Sequence, residues 1–134
     1  LVDLASVVTR ATGVVGAFGV SASSSYGDAT VRIDTASTMA DFVRTVSVSS
    51  GTSNATMEST GAIYAGGDHS VAVDVTAGGT ATLAVQDVLT TGYGATAVQA
   101  EGNAVAMAIG GTVASEGGAN PYVGSYAVRA NPSR

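Results

Sequence analysis

The feature that most constrains this chain is a sequence repeat. In the second half, each unit carries an apolar anchor, a glycine-rich stretch and a closing Ala-Val tetrapeptide. The anchors are Ile63, Val88 and Val113, and they are evenly spaced along the chain. Their period of about 25 residues indicates a repeat architecture, in which units stack because one unit cannot bury its apolar face alone.

A second set of positions extends the repeat toward the N-terminus. Thr30, Thr56 and Thr82 are also evenly spaced, and each follows an alanine and precedes a larger apolar residue. The stretches GVSA and TVSV, which begin at Gly19 and Thr45, match the closing tetrapeptide. The repeat therefore covers most of the chain and predicts four to five coils. The tetrapeptides of the later units are Ala72–Val75, Ala97–Ala100 and Ala127–Ala130.

Each unit consists of short alternating runs broken by Gly, Ser, Asn and Thr, which is typical of strands joined by tight corners. Equivalent strands of successive units then stack in parallel about 4.8 Å apart. We expect an all-β fold, a parallel β-helix or β-solenoid, with about 25–26 residues per coil. We expect one domain over residues 1–134, in which residues 1–18 form an irregular first coil or a short amphipathic helix as a cap. The segment from Ser37 to Thr45 lacks a glycine corner and is expected to contain a helical turn.

The alternation also assigns the two faces of each strand. Small side chains fill a narrow bore, because 46% of the chain is hydrophobic and only 5% is aromatic. Arg32 and Glu58 are expected to be neighbours on adjacent coils, where opposite charges attract. The predicted inward residues of the tetrapeptides are Val73, Val75, Val98, Ala100, Val128 and Ala130, and the predicted outward column is Ser21, Ser47, Asp74, Gln99 and Arg129.

Charge and composition exclude several classes of partner. Charged residues make up 11% of the chain, lysine is absent, and the formal net charge is −5. Binding to phosphate groups needs a basic surface, so we expect no nucleic-acid partner. No apolar run is long enough to span a bilayer, so we expect no membrane insertion. The chain has no cysteine, which excludes disulfides and thiolate metal sites.

The units TTGYGATAVQAEGN and GAIYAGGDHSVAVDVTAGGTATL resemble the passenger region of bacterial autotransporter-type surface proteins. They share its sequence of small-residue turn, Ala-Val alternation, Gly/Asn corner and second strand. The resemblance covers roughly Gly13 to Ala130 and rests on this general pattern. It implies a right-handed parallel β-helix, secretion, display at the cell surface, and adhesion or matrix formation. The translocating β-barrel of that family is not present in this sequence.

Candidate catalytic and metal-binding residues are few. His69 is the single histidine and has only Asp68 close in sequence, so we interpret it as a corner residue in solvent. A glycosidase needs two carboxylates close together, and no predicted strand column holds two acids side by side. We therefore predict a protein without catalytic activity and without a cofactor, with catalysis assembled by loops as the alternative. Calcium held by corner residues such as Asp28 and Asn54 is a further alternative.

Tyrosines near glycine-rich corners are the candidate contact residues, because exposed aromatic side chains stack on sugars or anchor protein partners. We select Tyr93, Tyr122 and Tyr126 for such a role. The last two lie in GGANPYVGSY, the longest insertion in the repeat. The alternative interpretation is that these rings cover the corner backbone, as Tyr26 would in its own corner.

The two ends of a solenoid expose unpaired strand edges, which natural repeat proteins cover. We find no evident capping helix after the last unit, so we expect end-to-end self-association or stacking on further coils of a longer chain. We interpret the protein as an extracellular or cell-surface structural or adhesive solenoid, with surface glycans as possible partners. The alternative is a carbohydrate-binding or carbohydrate-processing β-helix, such as a phage tail-fibre component.

Overall fold

The computed structural model describes residues 2–9, 18–118 and 125–132, and it describes side chains from residue 19 onward. These residues form strands and corners without a helix, as the sequence predicts. The strands are β1 (Val2–Thr9), β2 (Phe18–Ser24), β3 (Ala29–Thr38), β4 (Arg44–Ser50), β5 (Ala55–Ser59), β6 (Ile63–Ala65), β7 (Val71–Ala77), β8 (Thr80–Val85), β9 (Val88–Thr90), β10 (Thr96–Gly102), β11 (Ala104–Ile109), β12 (Val113–Ser115) and β13 (Tyr126–Pro132).

The strands form two parallel sheets that wind around one bore. The five-stranded sheet has the order β13-β10-β7-β4-β2, and the eight-stranded sheet has the order β11-β8-β5-β3-β6-β9-β12 with β1 also paired to β3. Strand β3 is long enough to pair with both β5 and β6, whereas the following coils divide this length into two strands. Each coil therefore contributes three strand segments, and the chain makes about four turns of a β-solenoid.

The register confirms the repeat. Ile63 pairs with Val88, and Val88 pairs with Val113. The threonine column is also correct, since Thr56 lies between Thr30 and Thr82 in the eight-stranded sheet. The coils at the two ends are longer, because β1 pairs with β3 and β10 pairs with β13 across a wider interval of sequence. The predicted coil length therefore describes the interior coils better than the ends.

The core is a ladder of small apolar side chains that points into the bore. Met57, Ile63 and Leu83 are the largest of its fully buried members. The predicted inward residues of β7 and β10 are buried as well. Their ladder is stabilising because each buried methylene contributes roughly 0.8 kcal/mol when it leaves water. The fully buried residues of the two tetrapeptides are Ala72, Val73, Val75, Ala97, Val98 and Ala100.

The simple alternation fails at one position in three strands of the five-stranded sheet, β4, β7 and β10. Ala72 is fully buried although its neighbour Val73 also faces the bore, and Ala97 repeats this one coil later. The paired residues skip this position in each ladder, which indicates a bend shared by these coils. In the earlier coil the position is Thr45, whose hydroxyl is hydrogen-bonded to that of Thr38 at 2.6 Å inside the core.

Two local expectations are settled by the backbone. Within residues 1–18, Val2–Thr9 is strand β1 and pairs in parallel with β3, so the helical alternative is wrong for this stretch and the first-coil alternative is right. Residues 10–17 lie outside the described part. The helical turn expected between Ser37 and Thr45 is also wrong: strand β3 ends there, a corner follows, and β4 begins. A left-handed residue, Phe42, makes this corner without glycine.

Candidate binding surfaces

The corner that leads into the five-stranded sheet has the same backbone geometry in three successive coils. At its start, Gly67, Gly92 and Gly117 stack closely along the solenoid. A Cβ atom on Gly92 would overlap the carbonyl oxygen of Gly67, and one on Gly117 would overlap that of Gly92. Glycine is required here because the backbones of neighbouring coils approach too closely for any side chain.

Two residues after Ala40, Gly67 and Gly92, at the equivalent position of three successive coils, the backbone is left-handed. The φ angles are 57° at Phe42, 53° at His69 and 65° at Gly94. The left-handed conformation costs an ordinary residue roughly 1–2 kcal/mol, whereas glycine adopts it freely. A residue with a large side chain is uncommon in this region, and the described part of the chain holds two of them in adjacent coils.

The rings at these strained positions are stacked. Phe42 and His69 have ring centroids 5.0 Å apart with planes inclined by 22°, and Tyr93 meets His69 edge-on at 5.7 Å. His69 is therefore half-buried among rings, which corrects its interpretation as a corner residue in solvent. Phe42 remains 54% exposed. Each of the two aromatic contacts contributes about 0.5–1.5 kcal/mol, which is about what one left-handed residue costs.

Two aspartates border these rings. The Oδ1 atom of Asp41 accepts the backbone N–H of Asp68 at 2.8 Å, and Oδ1 of Asp68 accepts that of Tyr93 at 2.8 Å. Both carboxylates are exposed. Each ties its coil to the next one and still presents a second oxygen to solvent. We call this surface the aromatic corner, defined by Asp41, Phe42, Asp68, His69 and Tyr93.

A second surface lies on the outer face of the five-stranded sheet. Asp74 occupies the predicted outward column, between Ser47 and Gln99. It is nevertheless only 8% exposed, and its Oδ2 atom lies 2.6 Å from Nε of Arg44. Burial raises the pKa of the Asp74 carboxyl above 3.8, and the Arg44 guanidinium only partly opposes this effect.

A second carboxylate lies close to Asp74 on the next coil. Glu101 is two residues beyond Gln99, the residue that pairs with Asp74, and its charge adds to the rise in the pKa of Asp74. As predicted, no strand column holds two acids side by side. Asp74 and Glu101 are instead diagonal neighbours, because they lie in adjacent columns of adjacent coils. The sequence reasoning missed them because it compared residues within columns only.

The three selected tyrosines do not form one site. Tyr93 belongs to the aromatic corner, whereas Tyr126 begins strand β13 and its ring centroid lies 5.9 Å from the guanidinium carbon of Arg129. Tyr122 lies outside the described residues. Tyr26 is 87% exposed at a different corner.

The corners proposed as calcium sites have a structural task. Oδ1 of Asp28 accepts the backbone N–H of Asn54 at 3.0 Å, and Oδ1 of Asn54 accepts that of Thr80 at 2.9 Å. Among the residues described, no three His, Asp or Glu side chains come together as metal ligands would. The same part of the chain contains no helix with the length and apolar character needed to cross a membrane.

Comparison with known proteins adds no relative to this picture. No family model matches the chain. No curated protein and no solved structure matches it either.

Proposed function

We propose that this chain is a structural, adhesive solenoid of a secreted or cell-surface assembly, and that it joins other copies of itself end to end. The observation that carries the proposal is the state of the last coil. Strands β11, β12 and β13 stand at the ends of their sheet orders, so in the described chain their outer edges have no partner. Ile109 and Val128 are 43% and 41% exposed there.

The apolar character of this end supports docking. Strands β11 and β12 contain no charged residue, and β13 contains only Arg129. Natural edge strands usually carry charges that prevent pairing. A recess of about 210 Å³ beside the paired strands β8 and β11 is lined by apolar groups that include Ala106 and Met107. The edge therefore has the features of a surface that another strand covers.

A second copy fits this edge in head-to-tail orientation. Strand β2 lies at the opposite end of the five-stranded sheet from β13, and the two strands have the same length. They are equivalent positions of one column, so β13 of one copy can continue the parallel ladder onto β2 of the next. Such a contact is heterologous and builds a fibre, because it leaves the same two ends free after each addition.

The extracellular location rests on the resemblance to autotransporter-type passengers. Those proteins are displayed at the cell surface and serve in adhesion or matrix formation. The low content of charged residues and the lack of lysine fit a chain whose edges are meant to pair. Labelling of intact producing cells with an antibody against the chain tests the location directly, since an intracellular protein would be labelled only after lysis.

The assembly is tested by substitution of one inward residue of the last coil. Val128→Lys places a charge in the inward row of β13, which the next copy would cover. We expect it to abolish assembly without unfolding the protein, because Val128 is already exposed. Asn131→Lys is the matched control, since it adds the same charge on the outward face of β13. Light scattering and electron microscopy of the purified proteins measure the outcome.

We expect concentration-dependent fibres from the wild type and from Asn131→Lys, and monomers from Val128→Lys. A wild-type protein that stays monomeric at all concentrations would refute self-assembly. If it is then stabilised by fusion of further coils to its C-terminus, the edge belongs inside a longer solenoid.

A second candidate function, carbohydrate processing, is favoured by Asp74 and Glu101. Glu101 lies on the coil next to that of Asp74, and glycosidases use a pair of carboxylates that flank the scissile bond. The raised pKa of Asp74 suits a general acid. Release of reducing ends from polysaccharides by the wild type, lost in both Asp74→Asn and Glu101→Gln, would establish this function over the structural one.

A further inference from the structure

We propose that the aromatic corner is a binding site for neutral glycans. This inference rests on the adhesive role proposed above and assigns it a ligand class and a place. It depends on three observations: the strained backbone that carries two of the rings, the exposure of the first ring, and the charge around them.

The backbone strain indicates a function beyond packing. Phe42 and His69 hold the left-handed conformation that Gly94 adopts freely in the next coil. The corner therefore closes without a ring, and the stacking of the rings does no more than offset the strain they impose. Strained residues that packing does not require tend to mark functional sites. Because Phe42 is more than half exposed, a contact from outside the chain is the use that remains for it.

The arrangement of the rings suits a sugar chain. Phe42, His69 and Tyr93 lie on three consecutive coils, and their rings follow one another along the solenoid with centroids 5.0 and 5.7 Å apart. Aromatic rings can stack on the apolar faces of successive sugars. A docked peptide would instead need an apolar groove or a free strand edge, and this corner, where exposed aspartates border the rings, is neither.

The charges at the corner select neutral ligands. Asp41 and Asp68 each use one oxygen for a backbone N–H of the next coil. An ionised carboxylate has about four acceptor positions, so both can also accept hydrogen bonds from sugar hydroxyls. The closest arginine in sequence, Arg44, is paired with Asp74. The two carboxylates therefore dominate the charge of the corner, which repels acidic sugars.

The test compares two substitutions of exposed aromatic residues. Phe42→Asn removes the ring but keeps the corner, because asparagine tolerates the left-handed conformation. Tyr26→Asn is the matched control, since it removes an exposed ring from a different corner. Titration calorimetry with neutral oligosaccharides of glucan, mannan and chitin measures binding, and oligomers of polygalacturonate serve as the acidic counterpart.

We expect at least one neutral oligosaccharide to bind the wild type and Tyr26→Asn equally, and to lose at least about tenfold in affinity in Phe42→Asn. The acidic oligomers should bind no variant. The melting temperature of Phe42→Asn should equal or exceed that of the wild type, because strain is relieved. Tyr93→Leu, at a position without strain, should weaken binding in the same direction.

Three results would overturn the proposal. They are no binding of any neutral oligosaccharide, equal binding by Phe42→Asn and the wild type, or a clear loss of stability in Phe42→Asn, which would give the rings a structural role. Assembly is measured separately with Val128→Lys. Glycan binding by that monomeric variant supports the proposed glycan site even if the wild type forms no fibre. A wild type that forms fibres but binds no glycan refutes the glycan site and leaves the self-assembly proposal standing.

Discussion

The interior coils and the last coil place similar residues at the same column positions, yet they bury them very differently. Leu83 of β8 is buried, whereas its partner Met107 in β11 is only half-buried. Val98 of β10 is 0% exposed, and its partner Val128 in β13 is 41% exposed. A residue in this fold is therefore buried by the coil beyond it as much as by its own coil.

The burial of each coil therefore depends on the coils on both sides of it. An interior coil is fixed from both sides and cannot move to absorb a change. The last described coil is fixed from one side and can shift outward. Stability in such a solenoid is a sum of coil and interface contributions, so equivalent substitutions should differ in cost according to the number of neighbours.

The largest expected effect tests this rule at the stacked glycines. Gly92→Ala and Gly117→Ala both drive a methyl group into the carbonyl oxygen of the preceding coil. We expect Gly92→Ala to lower the free energy of unfolding by about 3 kcal/mol or more, because its coil cannot move away. Gly117→Ala should cost about 1 kcal/mol, because the last coil can shift. Urea denaturation followed by circular dichroism measures both, and equal losses would break the comparison.

A cavity-forming pair tests the same rule in the bore. Leu83→Ala should lower the free energy of unfolding by about 3 kcal/mol, since its side chain is enclosed on all sides. Met107→Ala should lower it by about 1 kcal/mol, because part of that side chain already contacts water. Both should be measured in the Val128→Lys background, where assembly cannot bury Met107. A larger loss at Met107 than at Leu83 would contradict the ranking.

The smallest effect concerns an interior position of the outer face. Burial raises the pKa of Asp74 above 3.8, so its contribution to stability is greatest below pH 3.8 and is lost as the pH rises through the raised pKa. Asp74→Asn removes this loss, and Arg44 stays hydrated because it is half exposed. We therefore expect Asp74→Asn to be more stable than the wild type at pH 7, by less than about 1 kcal/mol.

The gain in Asp74→Asn should disappear in acid, which thermal melts at several pH values will measure. Glu58→Gln is the control, because Glu58 forms an equally short ion pair with Arg32 but both side chains are well exposed. It should lose at most about 0.5 kcal/mol and gain nothing at neutral pH. A loss of stability in Asp74→Asn at pH 7 would show that the ion pair outweighs burial.

The columns of this fold could be predicted from the sequence because the apolar anchors recur at a nearly fixed spacing. Ile63, Val88 and Val113 had to share one row, since a narrow bore accepts only small apolar side chains there. The burial of Ala72 was not predicted, because an alternation of period two with Val73 inside would place it outside. Its burial depends on a bend of the strand, which no residue type marks.

The candidate surfaces were harder to predict than the columns. The aromatic corner depends on left-handed backbone at Phe42 and His69. Of the three equivalent positions, only Gly94 has a residue type that predicts this conformation. An alignment of these three positions, which follow one another at intervals of one repeat, was the available signal. The burial of Asp74 depends on Arg44, which reaches it from the preceding coil. The repeat spacing predicts which residues are paired between coils, but not that the long side chain of Arg44 extends to Asp74.

The pairing of each coil only with the coils beside it also determines how the molecule would respond to force. Tension applied to β13 acts on the hydrogen bonds between one coil and the next, so the coils would detach one after another. Each detached coil of about 25 residues would then lengthen the molecule by roughly 85 Å before the next coil bears load. A chain wound in such coils would yield in steps of similar size, and would dissipate energy within each copy under a pull.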